Sequence, residues 1–448
     1  MLKLDDACNR LSDLIALARA GGADAADAIY VGSASTEVQM RLGKLEDVGR
    51  SEGEEIGLRV FVGQRTASVT ASDLSPDGLR ELVSRVVDMA REATEDQFAS
   101  LAPEDRLAKG ELPELDLFDA SDIGPAELRE RALAAEDAAR AVAGITNSEG
   151  AGASAGQSVM ALATSHGFVR GYRGSSFGCS ASVIAGEGAL MQRDYAWHSA
   201  RYYSDLEAAA AIGQRAGDRA MARLHPVKPD SGQMPIIFDP RVGASMVGHL
   251  LGSITGSSIA RRTSFLLDQL HEMVFDSHVT IIDDPHRVRG LRSRPFDGEG
   301  LPTASSKLID AGRLTSWLMD SASARQLGLQ PTGHASRGIG GPPGAGASNV
   351  YMAPGTLTPA ALMADIKQGI YVTELIGQGV NAVTGDYSRG ASGFLIRDGQ
   401  IGPAVAELTI AGNLKDMFKA IIPASDLVLR RGMDVPTLRI DGMMIAGA

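Results

Sequence analysis

Two rhythms of apolar positions alternate along the first half of the chain. Residues 3 to 20 carry Leu4, Cys8, Leu11 and Ile15 on one side at helical spacing, and the pattern stops at Gly21-Gly22, which predicts a helix ending there. Strand-like alternation follows over Ala28 to Val31, Thr36 to Leu42, Glu55 to Val62 and Thr66 to Ala71, with Gly63-Gln64-Arg65 joining the last two as a hairpin. A second helix is expected after Ser75. The serine caps it, Pro76 occupies the first turn where a missing N–H is harmless, and Leu79, Leu82, Val83, Val86, Val87 and Ala90 make one stripe.

Residues 94 to 122 break the rhythm. They are acidic, hold Pro103 and Pro113, and read as a linker or an irregular crossing. The first pattern then recurs: a helix over Pro125 to Val142, strands over Gln157 to Thr164, Phe168 to Tyr172 and Phe177 to Ala185 with a turn at His166-Gly167, and a strand region through Tyr195. A closing helix is expected behind a capping box of Ser204 and Glu207. Residues 1–224 therefore read as an α+β domain in which two helix–strands–helix units, about 1–95 and 123–224, share an antiparallel sheet. His225 to Gly232, with Pro226 and Pro229, marks the boundary. Beyond it, over 233–448, short β segments and many glycines predict a β-rich, barrel-like domain around a central helix. Its strands fall at Val279 to Asp283, Lys307 to Asp310, Ile370 to Ile376, Phe394 to Arg397 and Glu407 to Ala411, interrupted by a mobile Gly-rich loop over Arg337 to Ser348.

The bulk numbers narrow the class. With 448 residues the chain exceeds one core, and 44% hydrophobic with 22% charged residues is ordinary for a globular protein. A net charge of −12, with no local run of Lys and Arg, argues against a nucleic-acid partner. Two distant cysteines, Cys8 and Cys179, suit a reducing cytosol. Acidic residues interrupt the N-terminal apolar stripe, so it is no signal peptide, and no stretch is apolar enough to span a membrane. A cytoplasmic location is expected.

The central helix carries the chemical question. Pro235 to Phe238 reads as a buried strand, Asp239-Pro240 as a turn, and Val242, Met246, His249, Leu250 and Ile254 as a helical stripe. Gly243, Ala244, Gly248 and Gly252 keep the other side thin, so that a neighbouring backbone can come close. A zinc peptidase helix needs two imidazoles facing one metal and a Glu acting on its bound water. Counting back from His249 as a second ligand, the first His and the Glu positions hold Ala244 and Ser245.

This helix, ASMVGHLLGSI, resembles that of the TldD/PmbA family, a zinc metallopeptidase and DNA-gyrase-modulator family. Three further strings carry the resemblance: Phe296 to Thr303 (FDGEGLPT), Gly385 to Phe394 (GDYSRGASGF), and Gly432 to Ile440 with Val435-Pro436-Thr437. The likeness is to the PmbA (TldE) branch. In the TldD branch the helix reads roughly HEAxGHxxEGD and binds zinc, with a third ligand from a cysteine in a CGK-type string. Here that string matches Leu429-Arg430-Arg431-Gly432, which has no thiol. The resemblance thus implies a non-catalytic subunit that holds no cofactor and pairs with a TldD-type chain carrying the zinc. Together the two would admit unfolded or extended peptides to a chamber. On its own the chain would be inactive, and a homodimer is possible. By the same resemblance Gln378, Asn381, Thr384, Asp386 and Tyr387 are expected to line the substrate cavity, where an alternating strand over Gly369 to Thr384 could offer an edge to a peptide. His249 itself is expected to be a core histidine bonded to a backbone carbonyl.

Two alternatives stay open. One is a homodimeric peptide-binding or scaffold protein without a role in proteolysis. The other is an active hydrolase with a relocated metal site at His271, Asp283 and His286. Its cues are His271-Glu272 with Asp276, on an expected surface helix, and the Asp283-Asp284-Pro285-His286 turn. No Gly-x-Ser-x-Gly or Ser-x-x-Lys arrangement favours a serine nucleophile, Cys179 lies in a strand pattern, and the glycines of 338–346 lack the Gly-Lys-Ser/Thr of a phosphate loop.

Overall fold

In a computed structural model, which describes residues 1–447, the first unit runs α1 (Leu4–Ala20), β1 (Ala25–Arg41), β2 (Lys44–Val62), β3 (Arg65–Ala71) and α2 (Pro76–Glu92). The second runs α3 (Pro125–Arg140), β4 (Ile145–Thr164), β5 (Val169–Ala185), β6 (Gln192–Ala200) and α4 (Ala209–Ala222). The two meanders join along an antiparallel β1–β4 pairing into one six-stranded sheet of order β3-β2-β1-β4-β5-β6. The second half thus mirrors the first. The two strands expected at 28–31 and 36–42 are one, because the intervening Gly32, Ser33 and Ser35 interrupt the apolar pattern without interrupting the ladder.

Side-chain alternation decides what each face does. Ala28, Tyr30, Val159 and Ala161 face α1 and α2, while Val38, Met40 and Ala153 face α3, so the helices share one face. Ile29 and Leu162 point the other way, into a cluster with Phe168 and with Phe296 and Leu301 of the C-terminal half. Covered on both sides, residues 26–30 of β1 are buried without a break. The Ser75 cap forms as expected, with its side chain accepting the Gly78 N–H. The Ser204 capping box does not. Ser204 sits in a single 3-10 turn, α4 starts at Ala209 without a side-chain cap, and Glu207 is drawn into ion pairs with Arg215 and Arg430.

The crossing between the units is stitched to both halves, with Ala108 N–H donating to Gly300 O and Ser175 N–H to Leu117 O. After α4 the C-terminal half begins with β7 (Gly232–Phe238) and α5 (Pro240–Ser253). Next come β8 (Ile281–Asp283), β9 (Ser306–Asp310), β10 (Arg313–Leu314), β11 (Ala335–Ser336), β12 (Gly344–Ala345) and β13 (Val350–Met352). The last strands are β14 (Gln368–Ile376), β15 (Asp386–Arg397), β16 (Gln400–Asn413), β17 (Ile421–Pro423), β18 (Met433–Asp434) and β19 (Leu438–Gly447).

Strands β16-β15-β14-β7-β19 close into a five-stranded barrel through a β16–β19 pairing, and β10-β9-β8-β13-β18 form a second sheet. Helix α5 touches β7 and β14 of the barrel and β18 of the second sheet, and its Met246, Val247 and Leu250 belong to the largest core of the molecule.

The Gly-rich loop is anchored, contrary to the mobility expected of it. β11 and β12 clip its ends together, Arg337 is buried against Asp27 of β1, and the Ile339 carbonyl rests on Gly57 of β2. A Cβ at Gly57 would stand 1.9 Å from that oxygen, which is why the position tolerates no side chain.

Candidate functional site

The site is built where β7 ends. The Asp239 side chain accepts the Arg241 N–H at 2.9 Å, Pro240 takes the first turn, and α5 runs on from there. Gly243 meets Val435 and Leu438 so closely that a Cβ would lie 3.1 and 3.2 Å from their side chains, so this glycine does allow close packing. Gly248 and Gly252 do not, since a Cβ there would have nothing nearer than 4.0 Å. The thin side of the helix borders open space over much of its length.

Arg241, Ser245 and His249 recur every four residues and so share a side of α5. Arg241 reaches across to β6 and binds Asp194 through two nitrogens, at 2.8 and 3.1 Å. Arg223 of α4 approaches the same carboxylate at 3.5 Å and also pairs with Glu374 of β14. Burial disfavours the Asp194 charge, but the bonds from Arg241 and the nearby Arg223 hold its carboxyl below the usual range. These ion pairs fasten the second unit, the central domain of the chain, to the barrel.

Ser245, at the position a general base would need, donates to Val242 O at 2.6 Å. His249 is half-buried and meets Tyr387 of β15 edge to face, ring centroids 5.9 Å apart. Its Nε2 is buried without a hydrogen-bond partner, so the expected backbone carbonyl is not there. Burial, then the Arg389 charge, pushes its pKa down. Ala244 packs against the core. The zinc that the TldD branch binds at this place does not fit this donor set: a methyl group, a hydroxyl turned to its own helix and one imidazole cannot supply three ligands. The Leu429 to Gly432 string adds none, because Arg430 pairs with Glu207 and Arg431 stacks over Trp197, centroid distance 4.9 Å.

Tyr387 is buried beneath His249, with its hydroxyl unpartnered. The other expected cavity residues make a turn of their own, exposed to solvent. Asn381 Oδ1 accepts the Val383 and Thr384 N–H groups, Thr384 donates to Asp386, and Asn413 donates to Asp386 at 3.1 Å. What the fold does enclose near α5 is a cleft of about 380 Å³ whose walls include Arg241, Ser245, Thr373, Glu374 and Arg389. Asp194, Arg241, Thr373 and Arg389 were not singled out in the sequence. The signals there were indirect: Arg389 lies inside the GDYSRGASGF string and Thr373 in the alternating strand over Gly369 to Thr384.

The relocated metal set is not assembled. His271 lies in a turn with φ 68°, not on a helix, because residues 261–280 form turns and bends. Glu272 has no His partner and Asp276 is taken by His278. Asp283 is buried in β8 and accepts from Ser348 and, at 3.3 Å, pairs with His334. Burial opposes its charge, yet the His334 and Ser348 bonds hold its carboxyl below the usual range. Asp284 caps the turn at the His286 N–H, and the His286 ring meets Thr303 at 3.0 Å. No group of three or more His, Cys, Asp or Glu side chains suited to a metal occurs among the described residues. Nor is Ser348–Asp283–His334 a catalytic triad. The carboxylate stands between the other two, and the second His334 nitrogen meets Thr332, so the imidazole cannot take a proton from Ser348.

The FDGEGLPT string is a joint. Phe296 sits between Phe168 (5.0 Å) and Tyr172 (5.7 Å) of the central domain. The buried Asp297 carboxylate gathers the Glu299, Leu301 and Ala335 N–H groups, and Glu299 accepts from Ser321 N–H and Oγ. Burial, with Asp297 beside it, raises Glu299 to about 7. Both cysteines are free, Cys179 buried and Cys8 half-buried, with burial pushing their thiols up. No helix among the described residues is long and apolar enough to cross a membrane.

Comparison with known proteins matches the described architecture from end to end. Three family models fit in succession: PmbA/TldA metallopeptidase domain 1 over residues 26–90, the central domain over 118–224 and the C-terminal domain over 231–447. The chain is 38% identical to Metalloprotease PmbA of Escherichia coli O157:H7, covering 95% of this chain and 93% of that one. It is 35% identical to a Metalloprotease PmbA homolog of Haemophilus influenzae, covering 98% and 95%. A crystal structure described as a putative modulator of DNA gyrase from Bacteroides thetaiotaomicron superposes with TM-score 0.92 at 26% identity, covering 100% of both chains. TldE from Thermococcus kodakarensis superposes with TM-score 0.87 at 21% identity, over 98% of this chain and 100% of that one.

Proposed function

Because the chain belongs to the PmbA/TldD metallopeptidase family, we propose that it is the non-catalytic subunit of a two-protein peptidase, pairing with a TldD-type chain that carries the metal. One observation carries the reading: α5 keeps the frame of the peptidase helix, while Ala244 and Ser245 stand where a ligand and a base are required. Its neighbours offer no substitutes, since guanidinium groups stand in the string where a thiol would be needed. The likeness to TldE supports the same assignment. In this reading the pair works in the cytoplasm on unfolded or extended peptides. This chain's contribution is to bind and orient them, and the residues of α5 move no proton.

The test measures zinc content and peptidase activity of the chain alone, and then after mixing with a TldD-type protein from the same organism. The expected result is no stoichiometric zinc, no cleavage alone and cleavage on mixing. One zinc per chain with cleavage in isolation would overturn the proposal. Peptide binding by a stable homodimer, with no activity gained on mixing, would favour a binding or scaffold protein instead.

A further inference from the structure

The cleft beside α5 contains polar groups that the fold itself leaves unsatisfied. Thr373 of β14 is 6% exposed, lines the cleft, and has no partner for its Oγ1. Arg389 of β15 lines the same cleft, its Nε is buried without a partner, and it pairs with no carboxylate among the described residues. Tyr387, two residues back on the same side of that strand, is buried outside the cleft lining. Buried polar groups in folded proteins are almost always bonded to something, so two orphans lining one cleft point to a ligand.

The charge balance says which ligand. Arg241 and Arg223 are compensated by Asp194 and Glu374, and Arg193 by Glu149. That leaves Arg389 as an uncompensated charge in a cleft shared with the Thr373 hydroxyl, the environment of a single negative charge. A dianionic phosphate would meet Asp194 and Glu374 as well, and a polyanion would meet a chain of net charge −12. The adjoining wall is β6, the last strand of its sheet, with Tyr195 46% and Trp197 36% exposed. An edge strand with exposed aromatic residues suits an extended peptide better than a compact solute.

We infer that this cleft is a receptor for a carboxylate carried on an extended peptide, held by the Arg389 guanidinium and the Thr373 hydroxyl while the peptide lies along β6. The inference rests on the peptide-handling role proposed above and names the substrate class. The carboxylate has two sources, an acidic side chain or the peptide's own C-terminus.

The test uses fluorescence anisotropy of the full-length protein with labelled ten-residue peptides that differ at one central position, Glu or Gln, each with a free or an amidated C-terminus. A charge-assisted contact predicts that a carboxylate-bearing peptide binds about tenfold more tightly than its counterpart without one. If amidation removes the preference, the source is the terminus; if Glu→Gln removes it, the source is the side chain. Arg389→Gln should abolish the preference while leaving the affinity for the amidated Gln peptide unchanged. Thr373→Val, nearly isosteric, should reduce the preference severalfold and covers the case in which the Arg389 variant fails to fold. Equal binding of all four peptides, or a preference that survives both substitutions, overturns the carboxylate receptor and leaves peptide handling standing. No binding of any peptide overturns both.

Discussion

Asp27 supports one prediction that can be worked through in numbers. Its carboxylate, 2% exposed, lies between Arg59 of β2, which is 4% exposed, and Arg337 of the Gly-rich loop. Asp27→Asn keeps the shape and removes the charge, leaving two buried guanidinium groups without their ion-pair partner. Breaking a buried pair from one side costs about 3–5 kcal/mol, because the remaining charge is desolvated and uncompensated. At about 2.1 cal/mol/K per residue, a loss of about 4 kcal/mol lowers the melting midpoint by about 4 °C if the whole chain melts as one unit, and by about 8 °C if residues 1–224 melt alone. Since Arg337 belongs to the C-terminal half, the variant should also separate a single transition into two. Calorimetry reads both effects. Replacing Asp27, Arg59 and Arg337 together by apolar residues should restore most of the loss, because the penalty lies in unpaired charge and not in the missing bonds. A loss below about 1 kcal/mol for Asp27→Asn, or a triple variant worse than the single one, would refute the reasoning.

Two further outcomes follow from the joint between the halves. Glu299, raised to about 7 by burial and by the neighbouring Asp297, has a folded pKa above its ordinary 4.5. Its contribution is therefore complete below about 4.5 and is lost as pH rises through about 7. Glu299→Gln keeps an acceptor for Ser321, so urea melts should show the variant ahead by about 3 kcal/mol at pH 8 and level at about pH 4; identical pH slopes would exclude Glu299 as the source. Gly57→Ala would set a Cβ against the Ile339 carbonyl and lift the loop, so trypsin should cut after Arg337 faster than in the parent. Equal rates by mass spectrometry would mean the loop is held elsewhere.

Local signals were legible in the sequence, and long-range ones were not. Ser75-Pro76 and the stripe to Ala90 marked α2 because the cap and the apolar face lie within one segment. The duplicated units showed because each meander is joined by short turns. The Ser204–Glu207 box misled because a glutamate's preference for a nearby N–H was outweighed by guanidinium groups, one of them at Arg430. The Gly-rich loop misled because what pins it, Asp27 and Gly57, lies in the other half of the chain. The site divides the same way. The α5 frame was visible, with Ala244, Ser245 and His249 in register, whereas Asp194 acquires its meaning only from Arg241 and Arg223 across the domain boundary. The cavity role expected of residues 378–386 rests on the family resemblance, and what the fold adds is that Asn381, Thr384 and Asp386 bond within their own turn.

The two halves also differ in how far apart in the chain their pairings lie. In the six-stranded sheet each strand of a unit pairs with the next, and only the β1–β4 seam joins distant residues. The barrel is the reverse: Ile236 of β7 lies beside Ile370 on one side and Ile440 on the other. Loop closure over such separations is slow, and β7 has no partner until β14 has been made and lacks its second until β19 has. The N-terminal sheet should therefore form early, while α5 and β7 wait as exposed apolar surface. During synthesis this stretch is the part of the chain most in need of protection from aggregation.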